Sequence, residues 1–186
     1  MNKILAHLKT IRIHRRYVRK LCWKLGLFWQ GLTHDLSKYS FTEMSMCKYW
    51  TGKGSPHQAC RNAIGYSPSW NHHYHRNKHH FQFWWDEDEN GKIIPIKMPF
   101  KYVVESVCDM AGASKAYNKD NWTPDLLWSY WETKCRDKRI MNNESVYLTE
   151  KLLWNYKELG EKAFIEWFKN NKDYLENCYN NKEIDY

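Results

Sequence analysis

The residues best suited to chemistry begin with His34-Asp35, inside the stretch Gly31-Leu32-Thr33-His34-Asp35-Leu36-Ser37-Lys38. An adjacent imidazole and carboxylate give a first-row metal ion two ligand types that it accepts together. A second concentration of ligands follows in Asn71-His72-His73-Tyr74-His75-Arg76-Asn77-Lys78-His79-His80, which holds five of the nine histidines. A tract this dense exceeds ordinary usage, and metal binding is the usual physical reason for one. The two stretches are expected to meet at one metal site. A zinc-protease reading fails, because His75-Arg76-Asn77-Lys78-His79 has Arg76 where HExxH needs its glutamate base.

The elements that must position these residues read as helices. Residues 2–25 form an amphipathic helix, with Ile4, Leu8, Ile11, Val18, Leu21, Cys22 and Leu25 at helical spacing and Gly26 as its stop. His14 lies on that apolar stripe and faces inward. Residues 27–36 form a short helix or turn that delivers His34-Asp35. Ser40-Phe41-Thr42-Glu43 matches a capping box and predicts a helix over about 41–51. Another helix covers about 57–64. Pro68 opens the next, which is expected to carry Trp70 through His80. On such a helix His72 and His79, and likewise His73 and His80, share a face, and spacing does not choose between the pairs. Residues 81–98 read as a small hairpin with an Asn90-Gly91 turn and Pro95 at an edge. Pro99 starts a helix to about Tyr117. There Asp109 shares a polar face with Tyr102, Glu105 and Gly112-Ala113, small residues that would let a ligand or metal shell approach the backbone. Pro124 starts a further helix, 144–159 is amphipathic up to Gly160, and 161–179 is helical again. The expectation is one all-α domain over 1–179 with a hairpin insert and a fraying tail at 180–186.

Charge is uneven. The net +8 arises in residues 1–62, where twelve Lys/Arg face two Asp/Glu; beyond them seventeen face nineteen. That asymmetry favours an anionic partner: a phosphate-bearing small molecule or nucleotide, nucleic acid, or a membrane surface. Eleven Trp and thirteen Tyr supply core volume and can line a pocket for a flat ligand. Six cysteines without a CxxC pair fit reduced thiols in a cytoplasmic protein. Lys3, Lys9, Arg12, Arg15 and Arg16 interrupt any signal-peptide pattern, and no apolar run is long enough to span a bilayer.

In chain order, His14, His34-Asp35, His72/His73, His79-His80 and Asp109 resemble the H…HD…D signature of the HD superfamily of metal-dependent phosphohydrolases, with Thr33-His34-Asp35-Leu36-Ser37-Lys38 similar to its HDxxK form. The extra histidines resemble those of HD-GYP cyclic-dinucleotide phosphodiesterases, although Phe81-Gln82-Phe83-Trp84-Trp85 stands where a GYP element would follow. Within the superfamily, the patterns GLxHDLSK, HHxxRNKHH and MPxxYVVExxCD look like a small family of unknown function from bacteria and their phages. The resemblance covers roughly residues 10–170. It implies an HD-like helical bundle and a site for divalent transition metals, two of them, drawn from Fe, Mn, Zn, Co or Ni. One metal takes His14, His34, Asp35 and Asp109. Asp35 bridges to a second held by His73, His79 and His80. An activated hydroxide would then cleave a phosphoester of a nucleotide or cyclic nucleotide. Asp35 and Lys38 are the expected catalytic residues, with Lys38 holding a phosphate or developing charge. Arg15, Arg76, Lys78 and Lys115 are further candidates for phosphate contacts, and Glu105 for a partner of a ligand imidazole. A di-iron oxygenase of the same fold and a non-catalytic nucleotide or nucleic-acid binder are the alternatives.

Overall fold

The computed structural model describes residues 3–52 and 54–181. It is an all-α bundle carrying one small antiparallel hairpin. Helix α1 (Lys3–Lys24) runs through the middle and packs chiefly against α2 (Phe28–Thr33) and α6 (Phe100–Asn118). Short helices α3 (Phe41–Met44), α4 (Pro56–Ile64) and α5 (Pro68–Tyr74) form one flank. Helices α7 (Pro124–Tyr130) and α8 (Asn143–Asn181) close the other. Strands β1 (Trp85–Glu87) and β2 (Ile93–Pro95) pair with Trp85 opposite Pro95 and Glu87 opposite Ile93. Among the described residues no helix is long and apolar enough to cross a membrane. Of the tail expected at 180–186, residues 180 and 181 continue α8, and 182–186 lie outside the described residues.

The main apolar cluster is built by α1, α6 and α8. Val18 and Cys22 of α1, with Leu25 just past its end, join Val103, Val107 and Cys108 of α6 and Leu152, Phe164 and Phe168 of α8 in this cluster. Gly160 (φ 70°, ψ 165°) breaks α8 into the two segments that the sequence separates. The start of α6 is pinned to α8, because the Met98 N–H donates to Ser145 Oγ and that hydroxyl lies 2.8 Å from Tyr179 Oη.

Three expectations change. The helix expected over 41–51 is α3 followed by a 3₁₀ turn over Ser45–Tyr49. The helix expected to reach His80 ends at Tyr74, because the Asn77 side chain donates to the His73 carbonyl at 2.7 Å, the acceptor that helix continuation would use. His79 and His80 therefore stand on a turn rather than on a helical face. The small residues beyond Asp109 also serve packing rather than ligand access. A Cβ at Gly112 would lie 2.5 Å from Val18 Cγ2 and 3.2 Å from the Val18 backbone nitrogen, so α1 lies directly against Gly112.

Since Val18 is fully buried and has no room to move, Gly112→Ala should cost about 1–3 kcal/mol, a fall of several degrees in Tm by thermal circular dichroism. An unchanged Tm would show that the α1–α6 contact is looser than the geometry requires.

Candidate metal centre

Neighbouring residues on a helix point about 100° apart, so a helical His34-Asp35 could not aim both side chains at one point. The chain solves this by leaving the helix. α2 stops at Thr33, and Asp35 takes a left-handed conformation (φ 56°, ψ 27°) before a 3₁₀ turn over Leu36–Tyr39. Asp tolerates that region better than most residues. Arg15 braces the turn from α1. Its Nε donates to the His34 carbonyl at 2.7 Å, one terminal nitrogen donates to the Leu32 carbonyl at 3.1 Å, and the other reaches Tyr39 Oη at 3.4 Å.

Four side chains from three elements then converge. His14 Nε2 lies 3.2 Å from Asp35 Oδ2 and 3.1 Å from Asp109 Oδ1. His34 Nε2 lies 3.4 Å from Asp35 Oδ2, 3.2 Å from Asp109 Oδ1 and 3.4 Å from His14 Nε2. A transition metal with bonds of about 2.1 Å holds its ligand atoms about 3.0 Å apart at octahedral angles and about 3.4 Å apart at tetrahedral ones. The observed separations span that interval. One proton on each imidazole cannot satisfy all of these contacts together, whereas a single cation can.

The other oxygen of Asp35 faces a second group. Asp35 Oδ1 is 3.3 Å from His73 Nε2 and 3.5 Å from His79 Nε2, and His80 joins them to complete a four-residue cluster. Among the described residues no hydrogen bond reaches Asp35 Oδ1, His79 Nε2 or His80 Nε2, although all three atoms are buried. Buried polar atoms are normally paired, and three orphans within one four-residue cluster suit a cation. These buried His/Asp/Glu clusters could hold metal ions.

Behind the ligand atoms stands a layer of acceptors. Glu105 Oε1 takes the Nδ1 of His34 at 3.0 Å and that of His79 at 3.1 Å, so one carboxylate orients an imidazole in each cluster. Glu43 Oε1 takes the Nδ1 of His72 (3.0 Å), and its Oε2 lies 3.0 Å from His73 Nδ1 as an ion-pair neighbour rather than a hydrogen-bond acceptor. His72 therefore faces Glu43, and His73 faces Asp35. Lys38 Nζ sits 2.9 Å from Asp35 Oδ2 and 3.4 Å from His73 Nε2.

The electrostatics follow from burial. Burial opposes charge on Asp35, but His34, Lys38 and His73 outweigh it and hold the carboxyl well below its usual range. Burial likewise opposes charge on Asp109, where His14 and His34 prevail. His34 is driven well above the imidazole range against burial, by Asp35, Asp109 and Glu105. Glu43 is held down at about 2 against burial, chiefly by His73. His80 is pushed well below the imidazole range by burial and by His79 and His73. The result is a set of ionised carboxylates, with Lys38 as the lysine drawn into their midst.

The structure thus brings together His14, His34, Asp35, His73, His79, His80 and Asp109, with Lys38 beside them. Arg15 is committed to backbone carbonyls. Arg76 and Lys78 are exposed, and Lys78 lies over the rings of Phe83 (5.6 Å) and Tyr102 (5.9 Å). Lys115 pairs with Glu161 in a separate recess between α1, α6 and α8. His75 is exposed. Glu43, Ser37, Asn77 and His57 belong to the site without having been singled out by spacing. Ser37 Oγ lies 3.1 Å from His73 Nδ1, and Asn77 donates to Ser37 Oγ at 2.7 Å. His57 packs against His73 and reaches Ser69 Oγ at 2.8 Å.

Fold and site together define an α-helical protein with buried His/Asp/Glu clusters that meet at Asp35 and could hold metal ions. The chain belongs to a family of unknown function (DUF5662), whose model matches residues 3–153 and so includes every residue of this centre. No curated protein and no solved structure gives a significant match.

Two measurements probe the layer behind the ligands. Glu105→Ala should weaken metal binding at both clusters by about 10–100-fold, whereas Glu43→Ala should weaken only the His73 cluster, as read by metal titration. Equal effects of the two variants would contradict the assignment. His57 is held neutral down to about 3, against an ordinary value of 6.5, by burial and then by Lys38 and His73. Between those values the unfolded chain binds the extra proton and the folded one does not, so stability falls as pH drops through the window. His57→Gln should make that fall shallower by up to about 1.4 kcal/mol per pH unit in denaturant titrations. An unaltered slope would count against a neutral His57.

Proposed function

We propose that this chain is a metal-dependent phosphohydrolase of the HD type, acting on a phosphoester of a nucleotide or related molecule. The observation that carries the reading is Asp35, whose two oxygens face two separate sets of imidazoles. A carboxylate placed in this way suits a bridge between two divalent transition metals, and mixed imidazole and carboxylate ligands suit Fe, Mn, Co, Ni or Zn. Such metals, when bound, polarise phosphoryl oxygens and lower the pKa of water.

The protein's own residues supply the rest. His34 and Asp35 are fully buried at the side chain, while His14, Lys38 and Asp109 keep some exposure. A phosphate therefore approaches from the Lys38–Asp109 side. Lys38 lies against the cluster, 2.9 Å from Asp35 Oδ2, and stands ready to donate to a phosphoryl oxygen as negative charge develops. Glu105 and Glu43 keep the imidazoles oriented through turnover. The same ligand types also suit an iron oxygenase, so oxygen uptake belongs in the same assay.

Asp35→Ala should lose both bound metal and phosphoesterase activity while keeping its helical far-UV signal. Lys38→Met should keep its metal and lose about 10²–10³ in kcat. Full phosphoesterase activity in Asp35→Ala, or oxygen consumption in place of phosphoester cleavage by the wild-type protein, would overturn the reading.

A further inference from the structure

Residues 1–62 contain only two carboxylates, Asp35 and Glu43, and both are spent inside the site, 0% and 3% exposed. The surface that this third of the chain presents is cationic with no acid among it. On α1 the spacing of Arg12, Arg16, Arg19 and Trp23 places all four on one helical face, and all four are exposed. Phe28 and Trp29 of α2 stand next to them in solvent, Trp29 at 69%. Trp23 and Phe28 are stacked at 5.3 Å and 15°, Trp29 stands edge-on to Phe28 at 5.6 Å, and the Arg19 guanidinium lies 5.5 Å over the Trp23 ring. Three large rings exposed side by side mark an interaction surface.

We propose that this α1–α2 face docks single-stranded nucleic acid, with bases stacked on the Phe28 and Trp29 rings, which Trp23 backs, and phosphates held by Arg12, Arg16 and Arg19. Interleaved cations and rings are what an unpaired strand needs, since each nucleotide offers a flat face and a negative charge. A helix lying in a membrane interface divides its charges and rings between opposite faces; here they share one. Duplex DNA keeps its bases stacked on each other and leaves the rings without partners.

The placement also links the face to the metal centre. α2 begins with Phe28 and Trp29 and ends one residue before His34, a distance of about 9 Å along its axis. Gly31 allows the close seat of α2 on α1, since a Cβ there would lie 3.0 Å from Cys22 Cβ and Trp23 Cδ1. The ring platform and the His34-Asp35 turn are thus two ends of one rigid corner. Where the docked strand is named as the substrate, the inference rests on the phosphohydrolase reading. The docking itself does not.

The test is fluorescence anisotropy of a labelled oligothymidylate with the full chain, in EDTA, across a salt series. Binding should weaken steeply with salt, and Arg12→Glu with Arg16→Glu should flatten that dependence by about one to two in log–log slope. Phe28→Ala with Trp29→Ala should weaken binding about tenfold or more, at unchanged circular dichroism and metal content. A duplex of equal length should bind more weakly. Binding indifferent to loss of the rings, or ring-dependent binding to phosphatidylserine vesicles with none to the oligonucleotide, would overturn the proposal. Adding Mn²⁺ to the bound complex then reads cleavage. Absence of cleavage with ring-dependent binding intact would contradict the phosphohydrolase reading and leave the docking face standing.

Discussion

The burial of the Asp35 carboxylate is the constraint from which the rest of the structure follows. A fully desolvated negative charge is costly unless cations or strong donors surround it. Here its two oxygens point in different directions, Oδ2 towards His14, His34 and Lys38, and Oδ1 towards His73 and His79. Five elements must arrive at one residue for that to happen: α1, the turn after α2, α5, the turn after α5, and α6 through Asp109 and Glu105. The fold is organised as a set of arms that reach a single carboxylate.

Those arms are held by contacts that do no chemistry. Gly112 sets how closely α1 approaches α6, and through that approach fixes the 3.1 Å between His14 and Asp109. Arg15 holds the carbonyls at the end of α2 and so fixes where His34 and Asp35 emerge. Glu105 ties His34 to His79 through one oxygen, coupling the two clusters mechanically. Bringing ionised carboxylates together in the interior costs stability, and it is offset by the apolar cluster of α1, α6 and α8 immediately behind.

Much of this was legible in the sequence, and the parts that were not share a cause. The apolar stripe of α1, the proline starts of α5 to α7 and the break at Gly160 are local signals, and local signals read well. The inward turn of His14 followed from its stripe, and Glu105 as partner of an imidazole followed from its helical face. The end of α5 did not, because it depends on the Asn77 side chain replacing a backbone donor. Glu43 was hidden by a second meaning. Its N–H does donate to Ser40 Oγ at 3.3 Å, as half of a capping box, but its carboxylate turns to His72 and His73 instead of back to the cap. A signal did exist, since a lone glutamate in a stretch with twelve Lys/Arg is conspicuous. Gly112 reads as room for a ligand because sequence shows that a residue is small and not what fills the space. The left-handed turn at Asp35 has no sequence mark beyond the tolerance of aspartate for that region, and it is the conformation that lets adjacent residues converge.

The central claim is that Asp35 joins two cation sites. Its most direct test is electron paramagnetic resonance of the untagged chain titrated with Mn²⁺. Two ions bridged by one carboxylate should give a spin-coupled spectrum as the second equivalent binds, and His79→Ala should reduce it to the signal of an isolated ion. A wild-type protein that shows only isolated Mn²⁺ at saturation, or binds none, would contradict the claim.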